Sequence, residues 1–323
     1  MAKISVIIPV FNCGDNIEFC VNSIINQTFS NIEIIIINDG STDATHKKCL
    51  NLSLKDSRIR YFSQENQGLA QTRNFGLSVA NSDYICFIDS DDYIETNALD
   101  FMYKNAVNTD CDILVCGYFL QKKLSIKKIN CDDILIDNQN INKHLPMLKN
   151  LHLIDPVWNK MYKKSFLENS GVLMPKGEIF EDTFFNLTLL KFSPKIAVFN
   201  NCFYHYLTNI GSITRRYNPE KLDTLKSRAT LLKSISIGID SYCDYYYVKS
   251  IFSAFIDLFL VKKSSEILKE ISTEIGSEEF KNAAKNADYN SFFAKSIIRI
   301  AKTFNTKIIF SFCKICFYFK YKI

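Results

Sequence analysis

The sequence predicts an α/β chain: a mostly parallel sheet with helices on both faces, followed by a helical C-terminal region. Three observations carry this. Short β-branched runs, apolar on both faces, recur through the first 120 residues, helical patterns separate them, and beyond Asn218 helical periodicity dominates. Ile4–Val10 is the first strand, and Ile17, Cys20, Val21, Ile24 and Ile25 then line one helix face. Ile32–Ile37 is the second strand, with Ser41-Thr42-Asp43 offering N-cap chemistry to a second helix. Ile59–Ser63, Tyr84–Ile88 and Asp112–Tyr118 read as the third, fourth and fifth strands, with helices at Leu69–Ala80 and Thr96–Val107. The pattern then loosens. Residues 122–142 are polar without a period and read as an excursion. Val157–Leu190 reads as two helical stretches around a Gly/Pro-containing loop, and Ile196–Leu207 as a strand. There is no internal repeat.

Composition narrows the function classes. The chain has 323 residues, 47% hydrophobic and 23% charged, which suits one large or two modest domains and excludes a disordered or coiled-coil chain. A net charge of +5 from 39 basic and 34 acidic side chains is too balanced for a dedicated nucleic-acid binder, so none is expected as a partner. Eleven cysteines with one close CxxC pair, Cys313 and Cys316, make no disulfide framework and no four-ligand zinc site. Reduced thiols in a cytoplasmic protein are expected. No run of 18 apolar residues predicts a transmembrane helix, and the N-terminus lacks a small-residue cleavage site, so a buried strand is expected there rather than a signal peptide.

In open α/β sheets ligands sit outside the carboxyl ends of the strands. Strand one ends in Pro9-Val10-Phe11-Asn12 and strand two in Asn38-Asp39-Gly40. Strand three ends in Glu65-Asn66-Gln67-Gly68, followed by Arg73-Asn74 on a helix, and strand four in Asp89-Ser90-Asp91-Asp92. Like charges crowded at one turn repel, and basic residues close in sequence are sparse. A hard divalent cation with oxygen ligands relieves the conflict. The alternative is an N-cap for the next helix, which Asp92 alone could supply.

The segments SVIIPVFN, NDGSTD, ENQGLAQTRNFGL and YICFIDSDDYI, in this order and spacing, resemble the family 2 glycosyltransferases with the GT-A fold, of the bacterial surface-polysaccharide type. VWNKMYKKSF, IFEDTFFNLTLL and YHYLTNIGSIT resemble the later blocks of the same family. The resemblance implies a nucleotide-sugar and acceptor domain over residues 1–215 and a helical region over 216–323. It implies that Asp39 accepts from the uracil N3–H and that Pro9 and Phe11 line the base pocket. Asn12, Asn66, Gly68, Arg73 and Ser90 would complete the nucleotide site. Asp89 is expected at the ribose or metal, Asp91 as direct ligand of Mn²⁺ or Mg²⁺, and His205 near that metal. Asp182 is implied as the base that takes the acceptor proton, with Glu181 as second candidate, and an ordinary acidic helix start as the alternative. Trp158 is either an acceptor-stacking ring or a core residue. Many relatives have arginine where Leu207 stands, and Arg215 or Arg216 could substitute.

The implied activity is an inverting, metal-dependent transfer of a hexose (glucose, galactose or N-acetylhexosamine) from a UDP-sugar to a saccharide acceptor, giving a β-linkage. A lipid-diphosphate-linked sugar of O-antigen or capsule assembly is the expected acceptor. A dinucleotide-dependent oxidoreductase would need G-x-G-x-x-G after strand one, where Phe11-Asn12-Cys13-Gly14-Asp15-Asn16 stands instead. A nucleotidyltransferase would want an early Gly-rich basic loop. A non-catalytic binding module is at odds with intact Asp39, Asp89, Asp91 and Asp182.

From Tyr289 onward there are seven basic residues and no acidic one. Phe293, Ile297, Ile300, Ala301, Phe304 and Ile308 fall on one helical face, with Lys295, Arg299 and Lys302 opposite. A basic amphipathic tail of this kind predicts peripheral attachment to the inner face of the cell membrane. The alternative is a helix pair packed on the protein.

Overall fold

A computed structural model describes residues 2–14, 16–123, 125–177, 179–208 and 217–321. The runs apolar on both faces become strands buried at every position: β1 (Ile4–Val10), β2 (Ile32–Asp39) and β4 (Tyr84–Phe87). Burial on both sides is what selects Val, Ile and Phe there. With β3 (Ile59–Gln64) they form a parallel block in which β1 lies between β2 and β4. α1 (Asn16–Ile25), α2 (Thr45–Lys55) and α3 (Leu69–Val79) are the intervening crossovers. α3 lies close on the sheet because Gly76 permits it: a Cβ there would stand 2.4 Å from Ile7 Cγ2.

Beyond β4 the order is β5 (Tyr93–Ile94), α4 (Ala98–Thr109), β6 (Ile113–Lys122), β7 (Ser125–Ile129), β8 (Ile134–Ile136), α5 (Ile141–Asn150), β9 (Lys160–Lys163), α6 (Lys164–Ser170), α7 (Glu181–Leu189) and β10 (Ile196–Leu207). The sheet runs β3-β2-β1-β4-β9-β6-β10-β5, with β7 beside β6 and β8 beside β10. β9 is antiparallel to both β4 and β6, whereas β10 is parallel to β6. Two expectations need correction. The polar excursion at 122–142 carries β7 and β8, whose exposed edge positions hide a strand period. The two helical stretches expected within 157–190 are α6 and α7, but they are preceded by strand β9, which was not expected and forms because Lys160, Met161 and Tyr162 are buried between two strands.

Contacts divide the chain into two compact units, Met1–Ile210 and Gly211–Ile323. The second contains α8 (Lys221–Ile235), α9 (Asp240–Leu258), α10 (Ser264–Gly276), α11 (Glu278–Asn286), α12 (Phe292–Ala301) and α13 (Thr306–Tyr321). α9 is its axis, buried along almost its whole length and packed by the other five. The expected single amphipathic face of the tail is corrected. Phe304 adopts a left-handed conformation (φ 47°) and separates two helices, and Asn305 Oδ1 accepts from the Lys307 and Ile308 amides to start α13. Ala294, Ile297, Ile298 and Ala301 are buried on α12, and Ile309, Cys313 and Phe317 on α13, whereas Phe293 and Ile308 are exposed. The tail therefore packs on its own unit. No helix among the described residues is long and apolar enough to cross a membrane.

Candidate active site

The carboxyl ends of β1 to β3 are stitched together by side chain to main chain bonds. Asn12, left-handed at φ 45°, donates its amide to Ser41 Oγ (3.0 Å), and its Oδ1 accepts from Thr42 N (2.8 Å). Asp43 Oδ1 accepts from Thr45 N (3.0 Å), but the residue that precedes α2 is Ala44, which offers no side-chain cap, so the N-cap expected from Ser41-Thr42-Asp43 is not formed in that position. Asp39, 4% exposed, accepts from Gln67 N (2.8 Å), Gly68 N (2.9 Å) and Gln64 Nε2 (2.8 Å). The ENQG loop is therefore built around this carboxylate, with three of its roughly four acceptor positions filled. Gly68 (φ 87°) turns the chain into α3. Gly40 allows the two loops to meet, since a Cβ there would lie 2.8 Å from Asn66 N. Asn66 is exposed, Pro9 is buried within β1, and the Phe11 ring is 51% exposed at the mouth of these loops.

Strand β4 leads into the turn Asp89-Ser90-Asp91-Asp92, closed by Asp92 N donating to Asp89 O (3.1 Å). Asp92 is buried, and its carboxylate accepts from Tyr204 Oη (2.7 Å) and Leu207 N (2.7 Å), both on β10. Burial, then the charges of Asp89 and Asp91, push its pKa well up. The same Tyr204 hydroxyl accepts from Asp89 N (3.2 Å). Asp92 thus anchors the turn to β10. It does not cap α4, which begins at Ala98 after Asn97. Ser90 and Asp91 are partly buried in this turn.

Basic residues are sparse near the turn in sequence, but the fold brings Arg73 to it. Its guanidinium, 2% exposed, donates to Asp89 Oδ1 (2.6 Å) and to Glu181 Oε1 (2.7 Å). Burial opposes its charge, but Asp89, Glu181 and Asp182 outweigh that and push its pKa up. Neighbouring Asn74 holds Met174 through both main-chain atoms (2.9 and 3.0 Å). Two successive residues of α3 therefore fasten the segment that leads into α7. Phe180, left-handed at φ 66°, turns the chain so that Glu181 and Asp182 start α7. Burial, then the adjacent Glu181 charge, push Asp182 up to about 7, with Arg73 pulling the other way. A carboxyl poised there can exchange a proton near neutrality.

His205 stands apart from Asp92, because successive strand residues point to opposite faces and Tyr204 takes the inner one. Its ring stacks between Tyr93 (4.1 Å) and Phe119 (4.6 Å), and Nε2 lies 2.7 Å from Glu95 Oε1. Its Nδ1 is buried without a hydrogen-bond partner among the described residues. Trp158 is partly buried, its ring 4.3 Å from Tyr204 and 5.4 Å from Tyr206. The block Gly211-Ser212 and the candidates Arg215 and Arg216 lie outside the described residues. Among the described residues no group of three or more His, Cys, Asp or Glu side chains is close enough to hold a metal alone. Sequence reasoning missed Tyr204 and Asn74. The alternation Tyr204-His205-Tyr206 on a buried strand was the available sign for the first.

The model of the family described as glycosyl transferase family 2 matches residues 5–170. Glycosyltransferase GlyA of Streptococcus pneumoniae is 33% identical over 76% of this chain and 36% of its own length. EpsH of Bacillus subtilis is 32% identical over 68% of this chain and 65% of its own. The chain therefore spans about a third of the first relative and just under two thirds of the second. A solved structure of S. aureus TarS 1–349 in complex with UDP-GlcNAc matches 95% of this chain and 89% of its own, with a TM-score of 0.68 at 16% identity. A mannosyltransferase of Pyrobaculum calidifontis in complex with GDP-Man and Mn²⁺ matches with a TM-score of 0.54 at 11% identity. At such identities these structures speak for the GT-A fold. With ordered strand-end motifs and a family match over half the chain, the protein belongs to glycosyltransferase family 2.

Proposed function

We propose that this chain catalyses inverting transfer of a hexose (glucose, galactose or an N-acetylhexosamine) from a UDP-sugar to a saccharide hydroxyl, forming a β-linkage. The observation that carries this reading is the Arg73 bridge, which joins Asp89, at the strand-end turn expected to hold the diphosphate, to Glu181, beside Asp182. Donor and acceptor chemistry would then share one cluster. Asp182 would accept the proton of the acceptor hydroxyl as it attacks the anomeric carbon, and Glu181 is the second candidate. A single displacement needs one such base and no covalent intermediate. The exposed Phe11 ring would cover the uracil, and Asp39 has acceptor capacity left for its N3–H. Pro9, Asn12, Asn66, Gly68 and Ser90 would shape the nucleotide pocket.

The donor set fits a hard divalent cation. Two carboxylates of one turn, Asp89 and Asp91, would hold Mn²⁺ or Mg²⁺ and leave its other positions to diphosphate oxygens and water. His205, expected near that cation, is instead stacked between Tyr93 and Phe119 on the other face of β10 from Tyr204, so it stands outside this ligand set. When bound, the cation offsets charge developing on the departing UDP.

The acceptor we favour is a lipid-diphosphate-linked sugar of O-antigen or capsule assembly, met at the inner membrane face. α12 and α13 support this: Phe292, Phe293, Ile308, Ile315 and Phe319 are exposed beside Lys295, Arg299, Lys307 and Lys314, with no acidic residue from Tyr289 onward. Release of UDP from a panel of UDP-sugars, with and without Mn²⁺, tests the reaction. Dependence on the cation and on Asp91 and Asp182 is expected. Turnover unaffected by EDTA and by Asp91→Ala would refute the metal role, and full turnover in Asp182→Asn with loss in Glu181→Gln would move the base to its neighbour.

A further inference from the structure

Residues 153–159, just before β9, are organised from within by a lysine ammonium. Lys160 is fully buried, and its Nζ donates to Leu153 O (2.7 Å), to Pro156 O and to Asn159 Oδ1 (2.8 Å). These acceptors are neutral and all belong to the seven residues before it, so the ammonium takes the place that a bound cation would have in a loop of carbonyls. Burial pushes its pKa down to about 7, with Asp155 and Asp182 pulling it back up. An isolated buried charge is costly, and a loop that supplies this many acceptors is held in one conformation by it.

The loop is then fixed at both sides of the candidate site. Asn186 of α7 donates to Asp155 O (2.8 Å) and Pro156 O (3.2 Å), and its Oδ1 accepts from Tyr162 Oη (2.7 Å). α7 is the helix that begins with Glu181 and Asp182. On the other side Trp158 stacks on Tyr204, whose hydroxyl bonds Asp92 of the acidic turn. One rigid loop therefore sets an aromatic ring relative to both the candidate base and the candidate diphosphate turn.

We propose that Trp158, the one residue of 153–159 that is not buried, carries the acceptor saccharide, and that the buried remainder of the segment supports it, with Lys160 and Asn186 as positioning residues that fix Trp158 with respect to Asp182. This rests on the transfer reading above. Trp158 is the only tryptophan of the chain, so its fluorescence reports on the segment directly. The test compares wild type with Lys160→Met and Asn186→Leu, using octyl β-glucoside, β-galactoside and N-acetyl-β-glucosaminide as acceptor probes. UDP affinity with Mn²⁺ and UDP release without acceptor are measured alongside transfer.

The expected result is a KM for the acceptor probe raised roughly tenfold or more, with UDP affinity and acceptor-free release within about twofold of wild type. Trp158 emission should shift to the red in both variants. Parallel loss of UDP binding and transfer, or an unchanged acceptor KM with a red-shifted Trp158, would overturn the proposal. Failure of the transfer reading itself is distinguishable, because wild type would then transfer no sugar to any of the acceptor probes. Should Lys160→Met not fold, Trp158→Ala supplies the same KM comparison.

Discussion

Replacing Arg73 by methionine keeps most of the alkyl packing and deletes the guanidinium that bridges Asp89 and Glu181. The side chains involved are 3%, 25% and 13% exposed, so the change strands two shielded carboxylates beside a third, Asp182. Removing one partner of a buried pair costs about 3 to 5 kcal/mol. The partial exposure of Asp89 argues for the lower end, about 3 kcal/mol. For a unit of this size each kcal/mol moves the midpoint by about 2 to 4 °C, so a fall of about 6 to 12 °C is expected in thermal denaturation. A second consequence separates this bridge from ordinary packing. Arg73 holds the Asp182 pKa down against burial and Glu181. Without it Asp182 stays protonated to higher pH, so the acid limb of the pH–rate profile moves upward and activity recovers partly in mild alkali. Arg73→Lys, whose single ammonium cannot span both carboxylates, should fall between. A midpoint within about 2 °C of wild type, together with an unmoved acid limb, would refute the bridge as described.

Other outcomes follow from the same contacts. In wild type the rate of UDP release should rise with pH through a midpoint near 7, the value to which Asp182 is pushed, and a midpoint near the ordinary aspartate value would contradict its role as base. At the opposite end of the sheet, Glu33 accepts from Ser5, Asn81 and Arg60. Burial alone would raise its pKa, but these bonds outweigh burial and lower it. Its stabilising contribution is therefore present above the unfolded glutamate value, about 4.3, and lost as pH falls through the lower folded value. Urea denaturation between pH 6 and 3 should show a smaller acid-induced loss in Glu33→Gln than in wild type. Gly76→Ala forces a methyl against Ile7 and should destabilise by about 1 to 3 kcal/mol in the same assay. Deleting residues 306–323 uncovers the surface that Ile309, Cys313 and Phe317 bury, so a lower melting temperature is expected along with weaker binding to anionic vesicles.

The parallel block was legible because strands buried on both faces cannot hide. β1, β2 and β4 are buried at every position and mostly apolar, with Ser5, Glu33, Asn38 and Asp39 as the polar exceptions, and their ends fall within two residues of the expected positions. β9 was not legible. Lys160 and Lys163 make it look polar, and the acceptors that satisfy a lysine with no exposed surface come from the irregular segment before it, which carries no periodic pattern. β5 has two residues, too few for any period. At the site, residue types at strand ends pointed to Asp39, Asp89 and Asp91. The partner of Arg73 on α7 lies 108 positions away, and no local pattern encodes a pairing at that range. The tail misled because its hydrophobic spacing continues through Phe304, where the backbone breaks.

The central claim is that the carboxylates at the ends of the parallel strands take a nucleoside diphosphate together with a cation. Isothermal titration of UDP into the protein, with Mn²⁺ and with EDTA, tests it without any need to know the donor sugar or the acceptor. The account predicts binding that requires Mn²⁺ and is lost in Asp91→Ala, while Gly76→Ala still binds. Equal UDP affinity in EDTA and in Asp91→Ala, or no affinity in the folded wild type, would contradict it.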